Sequence, residues 1–454
     1  MSRPNILFIV ADDLNSWIGA LGRHPDVRTP AIDALAGRGT LFTRAYCSAP
    51  YCNASRMGVF TGCLPATTGI YQNQPLWEAV GRRTTFLEQL GAHGYHRAGA
   101  GKVFHGAYDY ARAGRERLPA ASWIEHQNRD FLWARFDTIP PEPMPPARPL
   151  NRMFDFDRFD EVSPWNHHFD WGVLPDDRAE DMPDAATCRA IAGMLADPPP
   201  QPFFLAAGLY RPHLPWYVPK AFFDLYPRER VSLPFVRADD LDDVPDIARS
   251  WALSPPDHEL VTGHGQWRDA VQGYLASISY CDAMIGRLMA ALDASPARDD
   301  TIVVLWGDNG FHLGEKLHWR KFVLWEEATR VPLVIVPPRG QAVVPRVDAP
   351  VSLVDLFPTL FELCGLPEVE GVDGRSLLGP MTGRTVRETP AVTTWLAGNH
   401  SLRQGQWRYT RYAAGGEELY DHSADPHEWN NLAGLPRFEP QLAGFRSLLA
   451  GRDG

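Results

Sequence analysis

The stretch Arg3-Pro4-Asn5-Ile6-Leu7-Phe8-Ile9-Val10-Ala11-Asp12-Asp13 decides the fold class. Its apolar residues run from Ile6 to Ala11 without a polar interruption and then stop at two carboxylates. A continuous rather than alternating run belongs to a strand covered on both faces, as in an α/β sandwich. The run is too short to span a membrane and lacks a small-residue cleavage site, and Asp-Asp suits a strand end better than a leader. We therefore expect a cytoplasmic protein with no membrane partner. Runs of the same kind recur at 203–209, 301–306 and 331–336.

Helices with readable ends separate these runs. Thr29 can cap a helix with Pro30 at its first position, running through Ile32, Leu35 and Ala36 and stopping near Gly37 to Gly39. Val271, Tyr274, Leu275, Ile278, Cys281, Ile285, Leu288, Met289 and Leu292 repeat at helical spacing and predict one long amphipathic helix. Residues 107–182 differ, with a proline cluster (Pro140 to Pro149) and no sustained period, and read as an irregular excursion over the surface. The five aspartates between Asp239 and Asp246 read as a solvated acidic loop. Trp407 to Tyr412 and Glu417 to Tyr420 flank Ala413-Ala414-Gly415-Gly416 as a β-hairpin. The organisation expected is a catalytic domain over 1–375 and a small C-terminal α+β subdomain over 376–454.

With 44 basic against 55 acidic residues, the net charge of -11 argues against a nucleic-acid partner. Hydrophobic residues at 44% and charged residues at 22% are ordinary globular usage, enough for a large core. Six cysteines without CxxC spacing suggest neither a disulfide framework nor a Cys-rich zinc site.

Asp12-Asp13 and Asp308-Asn309 each follow a predicted strand, and they would meet if those strands are neighbours, because ligands in open α/β sheets bind beyond the carboxyl ends of the strands. Four oxygen-bearing side chains suit a hard cation such as Ca²⁺ or Mg²⁺ rather than zinc. Acidic residues also follow strands simply as turn formers. Cys52 stands at a loop-to-helix junction, where free N–H groups and the helix dipole favour an anion, and Arg56 one turn on adds a fork of donors. The plain alternative is a buried structural cysteine beside a surface arginine.

Cys52-Asn53-Ala54-Ser55-Arg56 resembles the Cys-x-Pro/Ala-x-Arg signature of the type I sulfatases, in which the cysteine is oxidised to formylglycine. The opening strand with Asp12-Asp13 looks like that family's first metal-binding pair, and Gly94 to His105, with its Gly101-Lys102, is similar to its second signature. Tyr210-Arg211-Pro212-His213-Leu214-Pro215 matches the Pro-His-x-Pro element of the iduronate-sulfatase-like branch. Gly307 to Glu315 with Trp319-Arg320-Lys321 is similar to the last metal ligands and the active-site lysine, and segments around Gly398 to Arg403 and Glu418 to Leu432 also look like that branch. Ala54 stands where proline is commoner. The resemblance implies an alkaline-phosphatase-like α/β/α sandwich with a large mixed sheet and a small C-terminal antiparallel β subdomain.

It also implies a chemistry for each position. One cation, Ca²⁺ with Mg²⁺ or Mn²⁺ as runner-up, would be held by Asp12, Asp13, Asp308, Asn309 and the residue made from Cys52 by a formylglycine-generating enzyme. The formylglycine hydrate would attack sulfur, Arg56 would hold that hydrate, and Lys102 and Lys321 would complete the sulfate cradle. His213, alone or with Lys321, would protonate the leaving oxygen, and His105 would take the proton whose loss expels sulfate. His312, His400, Trp216 and Trp319 are candidates for lining the substrate pocket. The expected substrate is a small sulfate ester, a sugar or an alkyl or aryl sulfate. Two alternatives stand beside it: a phosphonate monoester or phosphodiester hydrolase using the same site, and a non-catalytic sulfated-glycan-binding protein whose Trp123, Trp133, Trp165 and Trp171 would stack on sugars.

Overall fold

Asn5–Asp12 forms a strand, β1, at the middle of a nine-stranded sheet in the computed structural model, which describes residues 3–74, 84–105, 136–137, 149–153 and 168–450. Thr40–Tyr46 (β2), His96–Gly101 (β3), Phe203–Pro212 (β4), Thr301–Gly307 (β5) and Arg330–Val336 (β6) supply its other long strands. Their order is β2-β6-β5-β1-β4-β3, with short strands at the edges. β1 runs parallel to β4 and β5, β3 parallel to β4, and β6 antiparallel to both β2 and β5, so the sheet is mixed.

The alternation of β1 explains its unbroken apolarity. Leu7, Ile9 and Ala11 enter one core cluster, and Ile6, Phe8 and Val10 enter the other, on opposite faces of the sheet. Pro30–Ala36 (α1), Pro183–Ala196 (α3) and Trp267–Ala294 (α4) contribute to the first cluster, and Cys52–Thr61 (α2) to the second. The long helix predicted from Val271 to Leu292 is α4, which is apolar enough to cross a membrane by composition, yet 72% of its apolar window is buried within the protein.

Several local expectations change. Thr29 precedes α1 as predicted, but its hydroxyl accepts from the Gly19 N–H and donates to Asp33 instead of capping. The first free N–H groups of α1, on Ala31 and Ile32, go to the Asp282 carboxylate of α4, a tertiary cap that local sequence does not show. The acidic stretch from Asp239 is not wholly solvated: Asp240 is buried and ion-paired to Lys316 at 2.7 Å, and Asp243 accepts from the Asn431 N–H. Most of the expected excursion, with Trp123, Trp133 and Trp165, lies outside the described residues; Trp171 is buried against Trp216. All six cysteines are buried and unbridged, as small hydrophobes would be.

The C-terminal part is a four-stranded antiparallel sheet, Ala391–Thr394 (β7), His400–Gln404 (β8), Trp407–Arg411 (β9) and Glu417–Asp421 (β10), each strand pairing with the next. The predicted hairpin is β9–β10, with Gly415 and Gly416 both left-handed in its turn, at φ 92° and 95°. Glu439–Leu449 (α5) covers this sheet through Leu442 and Phe445 on Leu402, Tyr409 and Leu419.

Candidate active site

The parallel register places Ala11 beside Gly307, so β1 and β5 end together and deliver Asp12-Asp13 and Asp308-Asn309 to one point. The β1–β4 register shifts between Ala11 and Asp12, which pairs with Pro212, and Asp13 turns into the left-handed region at φ 59°. Tyr274 of α4 fixes that turn: its hydroxyl donates to the Asp13 carbonyl at 2.7 Å and accepts from the Asn15 N–H at 3.0 Å. The sequence reading had missed Tyr274, whose helical spacing marked it as core.

Cys52 is the first residue of α2, buried, with Sγ 3.8 Å from Asp13 Oδ1 and 2.7 Å from Lys321 Nζ. One oxygen from each of Asp12, Asp13 and Asp308 and the Cys52 sulfur lie within 4.8 Å of one another. Asn309 Nδ2 donates to Asp13 Oδ1 at 2.8 Å and to the Gly310 carbonyl at 2.9 Å, which fixes the amide and leaves Oδ1 buried with no hydrogen-bond partner. A buried acceptor without a donor, in the midst of three carboxylates, fits a cation. The residues present thus fit the hard divalent ion expected from sequence, with oxygen donors predominant.

Arg56 lies one helical turn beyond Cys52 and is fully buried. Its Nε donates to Asp308 Oδ2 at 2.9 Å, Nη2 to Asp12 Oδ1 at 3.2 Å, and Nη1 to the carbonyls of Val103 and Lys102. Four of its five protons are spent in this way, so it acts first as a clamp on the two carboxylates. Lys102 Nζ pairs with Asp12 Oδ2 and lies 5.0 Å over the Tyr210 ring, and Lys321 Nζ pairs with Asp13 Oδ1. Lys102 reaches its place because Gly101 and Gly208 let β3 and β4 close up: a Cβ on Gly208 would stand 2.0 Å from the Lys102 carbonyl carbon.

The charges are mutually set. Burial would raise the Asp12 carboxyl, but the Lys102, Arg56 and Lys321 cations hold it well below the usual range. Burial, with the Asp12 charge, pushes Asp308 up to about 7 and the Cys52 thiol well up, so the thiol is no ready nucleophile as it stands. His213 Nδ1 faces the Leu214 carbonyl and Nε2 lies 3.8 Å from Asp13 Oδ2; burial and the Lys102 ammonium push this imidazole down to about 3. The same two causes push His105 well below the usual histidine range, and its Nδ1 is buried without a hydrogen-bond partner. Both imidazoles are neutral proton acceptors at pH 7.

The support for His213 was not foreseen. Asp184 at the start of α3 accepts from the Tyr210 and Arg211 N–H groups, and buried Arg211 donates to the carbonyls of His213 and Tyr217, while Tyr210 packs on the His213 ring at 4.9 Å. Arg211 was legible within the Pro-His-x-Pro element, whereas Asp184 carried no local signal.

The four residues expected at the substrate pocket are not gathered at this centre. Trp216 is fully buried in the core, its indole N–H on the Pro212 carbonyl and its ring against Tyr274. Trp319 is buried against Phe169 and Trp171. His400 sits within the C-terminal sheet beside the Thr394 hydroxyl at 2.9 Å. His312 lines a separate small cavity with Lys316, Trp325 and Glu428, its Nδ1 on the Glu315 carbonyl.

Comparison with known proteins bears on the same residues. The Sulfatase family model matches residues 4–366. A sulfatase of Formosa agariphila is 35% identical, the alignment covering 99% of this chain and 87% of that protein. The choline-sulfatase of Rhizobium meliloti is 29% identical, with 99% and 86% covered. Among solved structures, the phosphonate monoester hydrolase of Agrobacterium radiobacter superposes with a TM-score of 0.76 at 21% identity over 99% of this chain and 96% of that one, a likeness of fold.

Proposed function

The chain belongs to the sulfatase family and is a sulfuric ester hydrolase, and on that premise we propose that it cleaves small sugar, alkyl or aryl sulfates at a centre built on Cys52. The observation that carries this reading is the convergence of Asp12, Asp13, Asp308 and the unpartnered Asn309 oxygen on Cys52, with Lys321 Nζ 2.7 Å from its sulfur. A formylglycine made from Cys52 would supply the nucleophilic hydroxyl, and a divalent cation, Ca²⁺ in our reading, would supply charge for the sulfate oxygens. The chain's own groups do the rest. Arg56 holds Asp12 and Asp308 in place, and Lys102 and Lys321 present two ammonium groups to a tetrahedral anion.

Lys321 Nζ stands 2.7 Å from the Cys52 sulfur and is our choice of donor to the leaving oxygen, with His213, 3.8 Å from Asp13, as the second candidate. His105, whose buried Nδ1 has no hydrogen-bond partner, is our choice of acceptor for the proton whose loss releases sulfate. We further propose a cytoplasmic setting, which confines the substrate to small imported molecules; recovery of the native protein in a periplasmic or secreted fraction would overturn it.

Two measurements test the reading. Peptide mass spectrometry of protein made with a formylglycine-generating enzyme should show an aldehyde at Cys52, and Cys52→Ala should release no sulfate while staying folded. Turnover at the wild-type rate by fully thiol protein or by Cys52→Ala would overturn it. Phosphonate monoester hydrolysis is the competing reaction, since a phosphonate monoanion matches sulfate in charge and shape and the fold is shared with such a hydrolase. A higher kcat/KM for an aryl phosphonate monoester than for the aryl sulfate would favour it.

A further inference from the structure

Lys321 reaches Cys52 from a chain that reverses on both sides of it. Arg320 and Phe322 occupy the left-handed region, at φ 71° and 77°, a conformation that non-glycine residues keep only where the surroundings enforce it. A buried histidine that the reaction itself does not use stands against this turn. His318, three residues before Lys321, is 4% exposed, with Nε2 2.9 Å from the Lys321 carbonyl and Nδ1 3.0 Å from the Ala252 carbonyl.

These two contacts set a requirement on the ring. A neutral imidazole carries one N–H and one lone pair, whereas an imidazolium carries two N–H groups. Both neighbours are acceptors, so only the imidazolium donates to both, and a neutral ring leaves one nitrogen lone pair facing a carbonyl oxygen. Ala252 lies in the last turn of the helix Asp246–Leu253. The final carbonyls of a helix have no partner within it, and its dipole favours a cation at that end.

The surroundings pull the ring both ways. Burial pushes the His318 imidazole down from the ordinary histidine value, against the two carbonyls and the Asp257 carboxylate, which favour its charged form. The Arg320 guanidinium, whose Nε donates to Asp257 at 2.7 Å, opposes that form. The His312 ring, on the strand that pairs with Trp319–Arg320, lies 5.3 Å away, and burial keeps it well below the ordinary histidine value.

Resting on the hydrolase reading with Lys321 at the leaving oxygen, we propose that His318 is a positioning residue for Lys321: its imidazolium ties the Lys321 main chain to the end of the helix Asp246–Leu253 and so fixes the turn that aims Nζ at Cys52. Loss of the ring proton releases one of the two carbonyls and loosens the turn. His318 thereby couples the aim of Lys321 to pH from outside the reacting centre.

Ring protonation and kinetics test this separately. Nuclear magnetic resonance of protein with isotope-labelled histidine should show His318 carrying two N–H groups at the acid end of a range from about pH 4 to 8, and one at the other end. On protein shown to carry the aldehyde at Cys52, His318→Gln, a permanently neutral donor, should lower kcat for ethyl sulfate or galactose 6-sulfate about tenfold at the acid end, with KM within about twofold. The wild-type to His318→Gln ratio should approach one as pH rises through the His318 titration, since the other titrating groups cancel in it. The loss should be no more than about twofold for 4-nitrophenyl sulfate, whose phenolate leaves with little help from a proton donor. His318→Phe, which removes both donors, should be slower than His318→Gln throughout. A ring that never carries two N–H groups, a ratio that stays flat through the titration, or equal losses on aryl and alkyl esters would overturn the proposal. If the aldehyde-bearing wild type releases sulfate from none of these esters, the hydrolase reading itself falls and the role of His318 with it.

Discussion

Replacing Arg408 by Met should destabilise the protein by about 3 kcal/mol, because Arg408 joins the C-terminal sheet to the segment that leaves the active site. It is fully buried on β9. Nη1 donates to the Leu324 carbonyl and to Ser401 Oγ, both at 2.8 Å, Nη2 donates to Thr329 Oγ1 at 3.0 Å and to Glu326, and Nε lies against Glu428. Removing one partner of a buried ion pair costs about 3–5 kcal/mol, since the other charge stays behind in low dielectric. The lower end applies here. Glu326 keeps the Tyr46 hydroxyl at 3.0 Å and Arg403 and Arg330 at 3.4 Å, and Glu428 keeps His422 at 2.8 Å and the Glu326 N–H at 2.9 Å. At roughly 2 cal/mol/K of unfolding entropy per residue, a chain this long loses about 3 °C of Tm if it unfolds as one unit.

Calorimetry and guanidinium titration read that loss, and pH adds a second signature. Burial would raise the Glu428 carboxyl, but Arg408 and His422 hold it at about 2, against an ordinary value of 4.5. A folded-state value lowered in this way contributes stability that is present above about 4.5 and lost as pH falls toward 2, so Arg408→Met should begin acid unfolding at a higher pH. Adding Glu428→Gln to Arg408→Met should recover part of the loss, since Glu326 keeps Arg403 and Arg330 while Glu428 is left with His422 alone as a cationic partner. A change below 1 kcal/mol, or no recovery in the double variant, would refute the buried-charge reasoning.

Asp184 makes the opposite pH prediction: burial pushes its carboxyl to about 7, so its contribution to stability is full below about 4 and lost as pH rises through 7, and Asp184→Asn should flatten chemical-denaturation stability across that window by roughly 2–4 kcal/mol. Chelation followed by elemental analysis should show one alkaline-earth ion lost per chain with a lowered Tm that Ca²⁺ restores, and stoichiometric zinc would contradict the oxygen-rich ligand set. Lys321→Ala should lower kcat by about 10²–10³-fold with a smaller change in KM, and an unchanged kcat would remove Lys321 from the proton path. Gly208→Ala should displace Lys102, because its Cβ would overlap the Lys102 main chain at 2.0 Å; near-native activity and Tm would show that the strand ends can yield.

The sequence by itself determined the strands, the long helix and the centre of the site, for reasons that are local. The unbroken run ending in Asp12-Asp13 and its counterpart before Asp308-Asn309 announce buried strands with ligands at their carboxyl ends, and Cys52 with Arg56 one turn later announces a helix start. The family resemblance then ordered Lys102, His105, His213 and Lys321 around them; in the fold Lys102 pairs with Asp12, Lys321 pairs with Asp13, and His213 lies 3.8 Å from Asp13. What tertiary structure alone decided is what touches what across long stretches of chain. Arg56 turns out to be a clamp on two carboxylates, Asp184 and Arg211 hold His213, and Asp282 caps a helix some 250 residues away. Trp216 and Trp319, polar-tipped aromatics that sequence cannot place inside or outside, are core, and so is Trp395, which stacks on Tyr51 from beyond the C-terminal sheet. Periodicity and spacing report which face of an element is buried; which distant side chain satisfies a given charge is fixed only when the sheet order and the turns at its ends bring the two together.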